Sequence, residues 1–488
     1  MDGTITIDLR AAQRQLRQIG GAYSLFQANP PRTDSDPGAK SDWGRELVRK
    51  LNGLSSHILH DKPDAAELPQ MLSKMPLYVN RSKALGLNAF RFSFEFCELS
   101  PSIGEFNNEL MLEYVKLILL ARLTGHEPMV TLHHYTNPLS LVRIGPDSKL
   151  TAGAWEHPEI IGYLRFVLRR AISFLMNKDR IRQAIRELGI PELQAREEEM
   201  VSRRLVKWFV TINEPIMSVS HSYLLGLYPP FKKGALGKML RVRKTIRDAH
   251  RMMYQELKAL YGGSEIQVGM AYNGAYYQGL SAPILHWLCN KWGQVSYFEG
   301  DGSFSDFLAW QYYFAQKGPN SAARPEGHVY SDHSGFGYMC PEGIFHLLKW
   351  LHGLYPKKPI IVTEFGFADE RDRIRPFLIM ETFRWMVEAI NAGVPLIGAY
   401  YWSPVQNFEW LEAMKQNFGI FKEAELNLPL IPRIDTEISS WEALKTSSDA
   451  ILRPDSYSAQ RFLRNRMVAK RRFNTEVKRR TNAKNQTS

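Results

Sequence analysis

Two glutamates stand where a strand-like run meets a chain-breaking residue. Glu214 closes the run WFVTIN and precedes Pro215, and Glu364 closes PIIVT and precedes Phe365 and Gly366. A pair of carboxyls can cleave a glycosidic bond. One protonates the leaving oxygen, and the other stabilises or traps the oxocarbenium-like carbon. A separation of about 5–5.5 Å suits a covalent intermediate, whereas about 6.5–9.5 Å leaves room for water and inverts the product. The acid must hold its proton near neutrality, so burial or the neighbouring carboxylate has to raise its pKa. Taken singly, a glutamate at a strand end is more often a salt-bridged or capping residue. Asn213 is harder to explain structurally, because Asn and Pro on either side of Glu214 both disfavour a continuing strand.

Such a pair needs a scaffold that brings distant strand ends together. Eight short β-rich runs are read at 20–26, 88–94, 128–133, 207–212, 266–271, 306–311, 359–363 and 396–401. Amphipathic stretches separate them, for example 109–123, 160–175, 238–260 and 341–354. This alternation predicts an α/β fold with a parallel sheet and helical crossovers, and eight units suit a single (β/α)₈ TIM barrel. In that fold active sites lie at the carboxyl ends of the strands. Three interruptions read as long loops or insertions: 29–75 after the first strand, a charged helical stretch at 176–205, and a Gly/Ser/His-rich loop at 316–338. One barrel domain is expected over 1–460, followed by a basic tail at 461–488.

With 488 residues, 44% hydrophobic and 23% charged, the chain has a globular balance and no mark of disorder. Residues 461–488 hold ten Lys/Arg against the single acid Glu476, most of the chain's net charge of +12. The bland expectation for them is a solvated, frayed segment; the sharper one is peripheral contact with an anionic membrane. No nucleic-acid-binding motif is present, so no such partner is expected. Cys97, Cys289 and Cys340 lack CxxC spacing, so neither a disulfide framework nor a zinc site is expected, and no metal or organic cofactor is called for. The first twenty residues have no apolar h-region, and no run approaches ~18 apolar residues. A cytoplasmic location is the expectation.

Around the two glutamates the motifs become specific. TINEP at 211–215, VTEFG at 362–366, YWSPVQNFEW at 401–410, RFSFEF at 91–96, TLHHYTNP at 131–138, GAYSLFQAN at 21–29 and DFLAWQYY at 306–313 occur in order on seven of the eight strand positions. Together they resemble glycoside hydrolase family 1, the β-glucosidase/β-galactosidase family of clan A. The resemblance implies a retaining hydrolase with Glu214 as acid/base and Glu364 as nucleophile. It further implies that Asn213 bonds the sugar 2-hydroxyl, that Arg91 keeps Glu364 ionised, and that Tyr313 donates to Glu364. Gln27, His134 and Glu409 would bind sugar hydroxyls, and Trp402 and Trp410 would form the floor and wall of the sugar pocket. The implied partner is a small-molecule β-glycoside.

The sequence departs from the family pattern at several places. Phe365 and Gln311 replace Asn, Gln406 replaces Asp, Tyr135 and Ser140 stand where Trp is common, and Asn29–Pro30 replaces Glu-Gly. These changes bear on the substrate more than on the reaction. Glu409 argues against a 6-phospho-glycoside, whose phosphate it would repel. Two other functions stay open. One is a transglycosylase of the same mechanism using a lipid or other non-water acceptor, suggested by the apolar stretch 283–298 together with the basic tail. The other is a non-catalytic sugar-binding barrel, against which both retained carboxyls weigh.

Overall fold

In a computed structural model, residues 8–59, 62–318, 329–330, 337–432, 437–455 and 457–485 are described, with side chains to 480. Eight parallel strands close a barrel: β1 (Gln18–Ala22), β2 (Ala89–Ser93), β3 (Glu127–His133), β4 (Trp208–Asn213), β5 (Gln267–Asn273), β6 (Leu308–Tyr312), β7 (Ile360–Phe365) and β8 (Leu396–Trp402). Each pairs with its neighbours in sequence, and β8 pairs back onto β1. Because both faces of every strand are covered, the runs are apolar throughout rather than alternating. Ala22, Ala89, Ala271 and Ala309 leave room inside the barrel for Phe307, Met129 and Tyr400.

The outer layer is helical: α1 (Met75–Ala84), α2 (Asn108–Leu123), α3 (Ile160–Met176), α4 (Leu236–Leu257), α5 (Gly343–Leu354), α6 (Arg375–Asn391) and α7 (Ser440–Leu452). Local chemistry starts several of them. Asn107 caps α2 by accepting from Leu110 N at 3.0 Å, and Ser439 forms a capping box with Glu442 at the start of α7. The charged insertion before β4 is helical as expected, at Lys178–Leu188, Pro191–Gln194 and Glu197–Ser202.

Four expectations need correction. The first strand ends at Ala22 rather than at Phe26, and Leu25–Ala28 turns helically. The stretch 29–75 is not all loop, since Asp42–Leu51 is a helix with Ser41 as its cap. The helix expected to run on to 260 ends at Leu257, where π-helical turns take over. The basic segment is no frayed tail either. Position 461 lies inside α8 (Ser458–Asn485), which packs on α6 and α7. Arg466 is buried against Glu381, Phe473 packs on Phe377, and Glu476 holds Arg373, Arg479 and Arg480. An apolar stripe and buried ion pairs fold the basic sequence onto the barrel. Most of the expected loop at 316–338 (319–328 and 331–336) lies outside the described residues.

Candidate active site

The two glutamates reach one cavity of about 640 Å³ at the carboxyl ends of the strands. Irregularities in the strands aim them there. Ile361 packs inside the barrel and Val362 packs outside. Strict alternation would then turn Thr363 inward and Glu364 outward. A register shift against β6 between Val362 and Glu364 reverses this, as bulges do. A second shift, between Val210 and Asn213 against β5, does the same for Asn213. Glu214 follows with φ at 40°, and Tyr135 and Trp410, both in the cavity, have φ of 72° and 50°. Left-handed backbone at non-glycine residues is costly and concentrates at functional sites. Gly366 is required for a different reason: a Cβ there would collide with the Trp402 carbonyl.

Glu364 sits at the centre of a dense network. Arg91 Nη1 donates to its Oε1 at 2.5 Å, Gln311 Nε2 to the same oxygen at 2.7 Å, and Tyr313 OH to its Oε2 at 2.5 Å. Burial raises its pKa, opposed by the Arg91 charge and the Tyr313 hydrogen bond. Glu95, on the same strand end as Arg91, accepts from Ser93 and Thr136. Arg91 Nη2 donates to Asn213 Oδ1 at 2.7 Å, as does Gln311 Nε2. Asn213 Nδ2 lies 3.2 Å from His134 Nε2, which leaves the His134 proton on Nδ1.

Glu214 has a poorer setting. Tyr135 OH donates to its Oε2, and the nearby charge is another anion. Burial and then Glu364 push its pKa up to about 8, against the pull of Tyr135 and Asn273. A carboxyl so placed keeps a proton at neutrality, whereas its better-solvated-by-protein neighbour is held by a cation.

Across the cavity, Glu409 accepts from Trp402 Nε1 at 2.9 Å, Asn407 Nδ2 at 2.9 Å and Gln27 Nε2 at 3.2 Å. Burial raises its pKa to about 8. His134 stacks on Trp402 and Trp410 at ring distances of 5.9 and 6.3 Å. The residues given site roles by the family resemblance therefore meet here, nine of them lining the cavity and Arg91 bonded to Glu364 behind it. Several polar atoms of residues lining the cavity are buried without a partner: Gln27 Oε1, His134 Nδ1, and both amide atoms of Gln416. Buried polar atoms are normally satisfied, so this group of orphans leaves the cavity with hydrogen-bonding capacity for a polar molecule.

Sequence reasoning missed Tyr135, Gln311, Asn407 and Gln416 as participants. Two had been noted only as departures from a family pattern. Gln311 spans both Glu364 and Asn213 with a longer amide than Asn carries. Asn407 could have been found from its position two residues before Glu409. Phe365, also a departure, lies outside the site, packed against Phe383 and Tyr401. Removing the Tyr135 hydroxyl should raise the pKa of Glu214, since that hydrogen bond lowers it. Tyr135→Phe is thus expected to move the basic limb of kcat/KM to higher pH while changing optimal kcat by less than about tenfold; an unmoved limb in a pH–rate profile would show that the phenol does not tune Glu214.

The barrel therefore brings two unequal carboxyls and a polar, aromatic lining to one cavity. Residues 311–429, which carry Gln311, Tyr313, Glu364 and Glu409, match the family described as glycosyl hydrolase family 1. The chain is similar to the galactolipid galactosyltransferase SFR2 of Arabidopsis thaliana, 24% identical over 381 residues, covering 74% of this chain but only 55% of that protein. It is also 23% identical over 484 residues to beta-glucosidase A of Enterobacter agglomerans, covering 90% of this chain and 96% of that protein. Among solved structures, the beta-glycosidase of Thermosphaera aggregans superposes with a TM-score of 0.70 at 19% identity, over 92% and 98% of the two chains.

Proposed function

We propose that the protein is a retaining β-glycosidase acting on β-glucosides or β-galactosides by double displacement. The observation that carries this is the unequal setting of two carboxyls in one cavity. Glu364 is held by a guanidinium, a phenol and an amide, which suits an ionised nucleophile. Glu214 is pushed towards its protonated form, which suits an acid. In the first step a Glu364 oxygen attacks the anomeric carbon as the bond to the leaving oxygen breaks and Glu214 gives that oxygen its proton. Glu364 is then an ester without charge, so the anion that raised the pKa of Glu214 is gone. Glu214 can now take a proton from water, which attacks the anomeric carbon and releases Glu364. Asn213, Gln27, His134 and Glu409 hold the sugar hydroxyls, and Trp402 and Trp410 pack on its C–H face.

A second reading is transfer to an acceptor other than water. The cavity's outer wall supports it, being built from Met217, Leu224, Leu225, Leu227, Met239 and Leu288, and so does the similarity to a galactolipid galactosyltransferase. Rates across a panel of aryl β-glycosides (gluco, galacto, fuco, manno, 6-phospho), with the anomeric configuration of the first product read by NMR, test both. Hydrolysis with retention is expected for gluco or galacto donors. An inverted first product would remove the double displacement, and a donor consumed only when an alcohol acceptor is added would favour transfer.

A further inference from the structure

The mouth of the cavity is bordered by apolar side chains that no other described part of the chain covers. On the loop after β4, Leu224, Leu225 and Leu227 are exposed, and on the first turns of α4 so are Leu236 and Leu240. Leu236 and Leu240 flank the cavity-lining Met239 on one helix face. Opposite them lies the segment after β5. Leu280 is fully exposed, Ile284 and Leu288 follow, and Trp287 and Trp292 stack with each other while each remains 51% exposed. Arg243 of α4 ties the two halves together, donating to the Trp292 carbonyl at 2.5 Å and lying over its ring. Monomeric proteins rarely leave so many large apolar side chains together in water, and such patches mark interaction sites.

Charge selects among partners. No acid occurs between Glu214 and Asp248, or between Glu265 and Glu299. The same two stretches carry Lys232, Lys233, Arg241, Lys244 and Lys291 around the apolar residues. Exposed Trp and Leu on two segments that carry cations and no acid of their own match the boundary of an anionic bilayer, where indole rings sit at headgroup depth and Lys/Arg meet lipid phosphates. A water-soluble protein partner gives no comparable reason for acids to be missing from two separate segments.

We propose that this rim docks the barrel mouth onto an anionic lipid surface, so that the glycoside it receives is a membrane glycolipid whose sugar enters the cavity while its acyl part stays against the apolar wall. The substrate class rests on the glycosidase reading above; the docking surface does not. No helix among the described residues is long and apolar enough to cross a membrane, so contact is peripheral. The docking face is the rim rather than α8, where Arg466, Arg479 and Arg480 are already paired with acids.

The test is co-sedimentation of the full chain with phosphatidylcholine vesicles, with and without phosphatidylglycerol, alongside turnover of a soluble aryl β-glycoside. Wild type is expected to bind only the vesicles containing phosphatidylglycerol. The variant Leu280→Ser/Ile284→Ser/Trp287→Ser, none of whose residues lines the cavity, should bind roughly tenfold more weakly, and Lys233→Glu/Arg241→Glu should bind no better than to neutral vesicles. Both should retain wild-type turnover of the soluble substrate. The proposal is overturned if neither rim variant alters binding. It is equally overturned if Lys470→Glu/Lys478→Glu in α8 abolishes binding while the rim variants leave it intact. A wild-type dimer that the rim variant converts to monomer, with no vesicle binding by either, would assign the patch to a second copy instead. Vesicle binding without aryl-glycoside turnover would support the docking surface and remove the glycosidase reading alone.

Discussion

Glu364→Gly is expected to lower kcat on the order of 10⁵-fold for an aryl β-glycoside, about 7 kcal/mol of barrier. Without that carboxylate no covalent intermediate can form, and the Arg91 charge faces an oxocarbenium-like carbon with no anion between them. Added azide should then attack from the vacated face and expel the aglycone, with Glu214 still able to supply its proton. The product would be the α-glycosyl azide, identified by NMR. The substitution also leaves Arg91, which is wholly buried, without its anion. Removing one partner of a buried pair typically costs about 3–5 kcal/mol of stability. Glu364→Gln keeps the volume and one acceptor for Arg91, so it separates a lost nucleophile from a lost fold. A folded Gln variant with near-wild-type turnover would take the nucleophile's role away from Glu364.

Glu214→Ala should behave differently with leaving group and nucleophile. With a poor leaving group, loss of the acid is expected to cost about 10²–10⁴ in kcat/KM. With a dinitrophenyl glycoside the first step hardly needs a proton, so the covalent intermediate should accumulate and a burst should appear. Azide then attacks that intermediate on the face Glu214 guarded, giving the β-glycosyl azide. Opposite anomers from the two variants assign the two roles. The pH profile carries an independent sign. In wild type, Glu364 must be ionised and Glu214 protonated, so kcat/KM should fall on the acid side as Glu364 takes a proton. It should fall again on the basic side as Glu214, pushed up to about 8 by burial and its neighbour, loses one. Glu214→Ala should abolish the basic limb with the activated substrate and leave the acid limb. A basic limb that survives the substitution would have to come from another group.

The two glutamates were legible because each ends an apolar run at a chain breaker, a pattern visible without any contact. The barrel was legible because eight such runs alternate with amphipathic stretches, and a parallel sheet needs a crossover between each pair of strands. The extent of the first strand was not, since SLFQA continues the same apolar pattern while the chain already turns helically. Composition misled at the C-terminus. Ten cations in 28 residues read as solvated, but α8 sets Phe462, Ala469 and Phe473 along one side, and Glu381, from a distant helix, pairs with Arg466.

Sequence alone therefore determined the fold class and the chemical identity of the central pair, because both follow from local periodicity and residue type. Tertiary structure decided how that pair is tuned. The bulges at Glu364 and Asn213 depend on register against neighbouring strands, which no single strand encodes. The roles of Tyr135 and Gln311 depend on strands far apart in sequence ending at one mouth. Phe365, adjacent to Glu364 in the chain, proved irrelevant to the cavity, because consecutive strand residues face opposite sides of the sheet. The exposed rim, too, became visible only once folding showed which apolar side chains had found no core to enter.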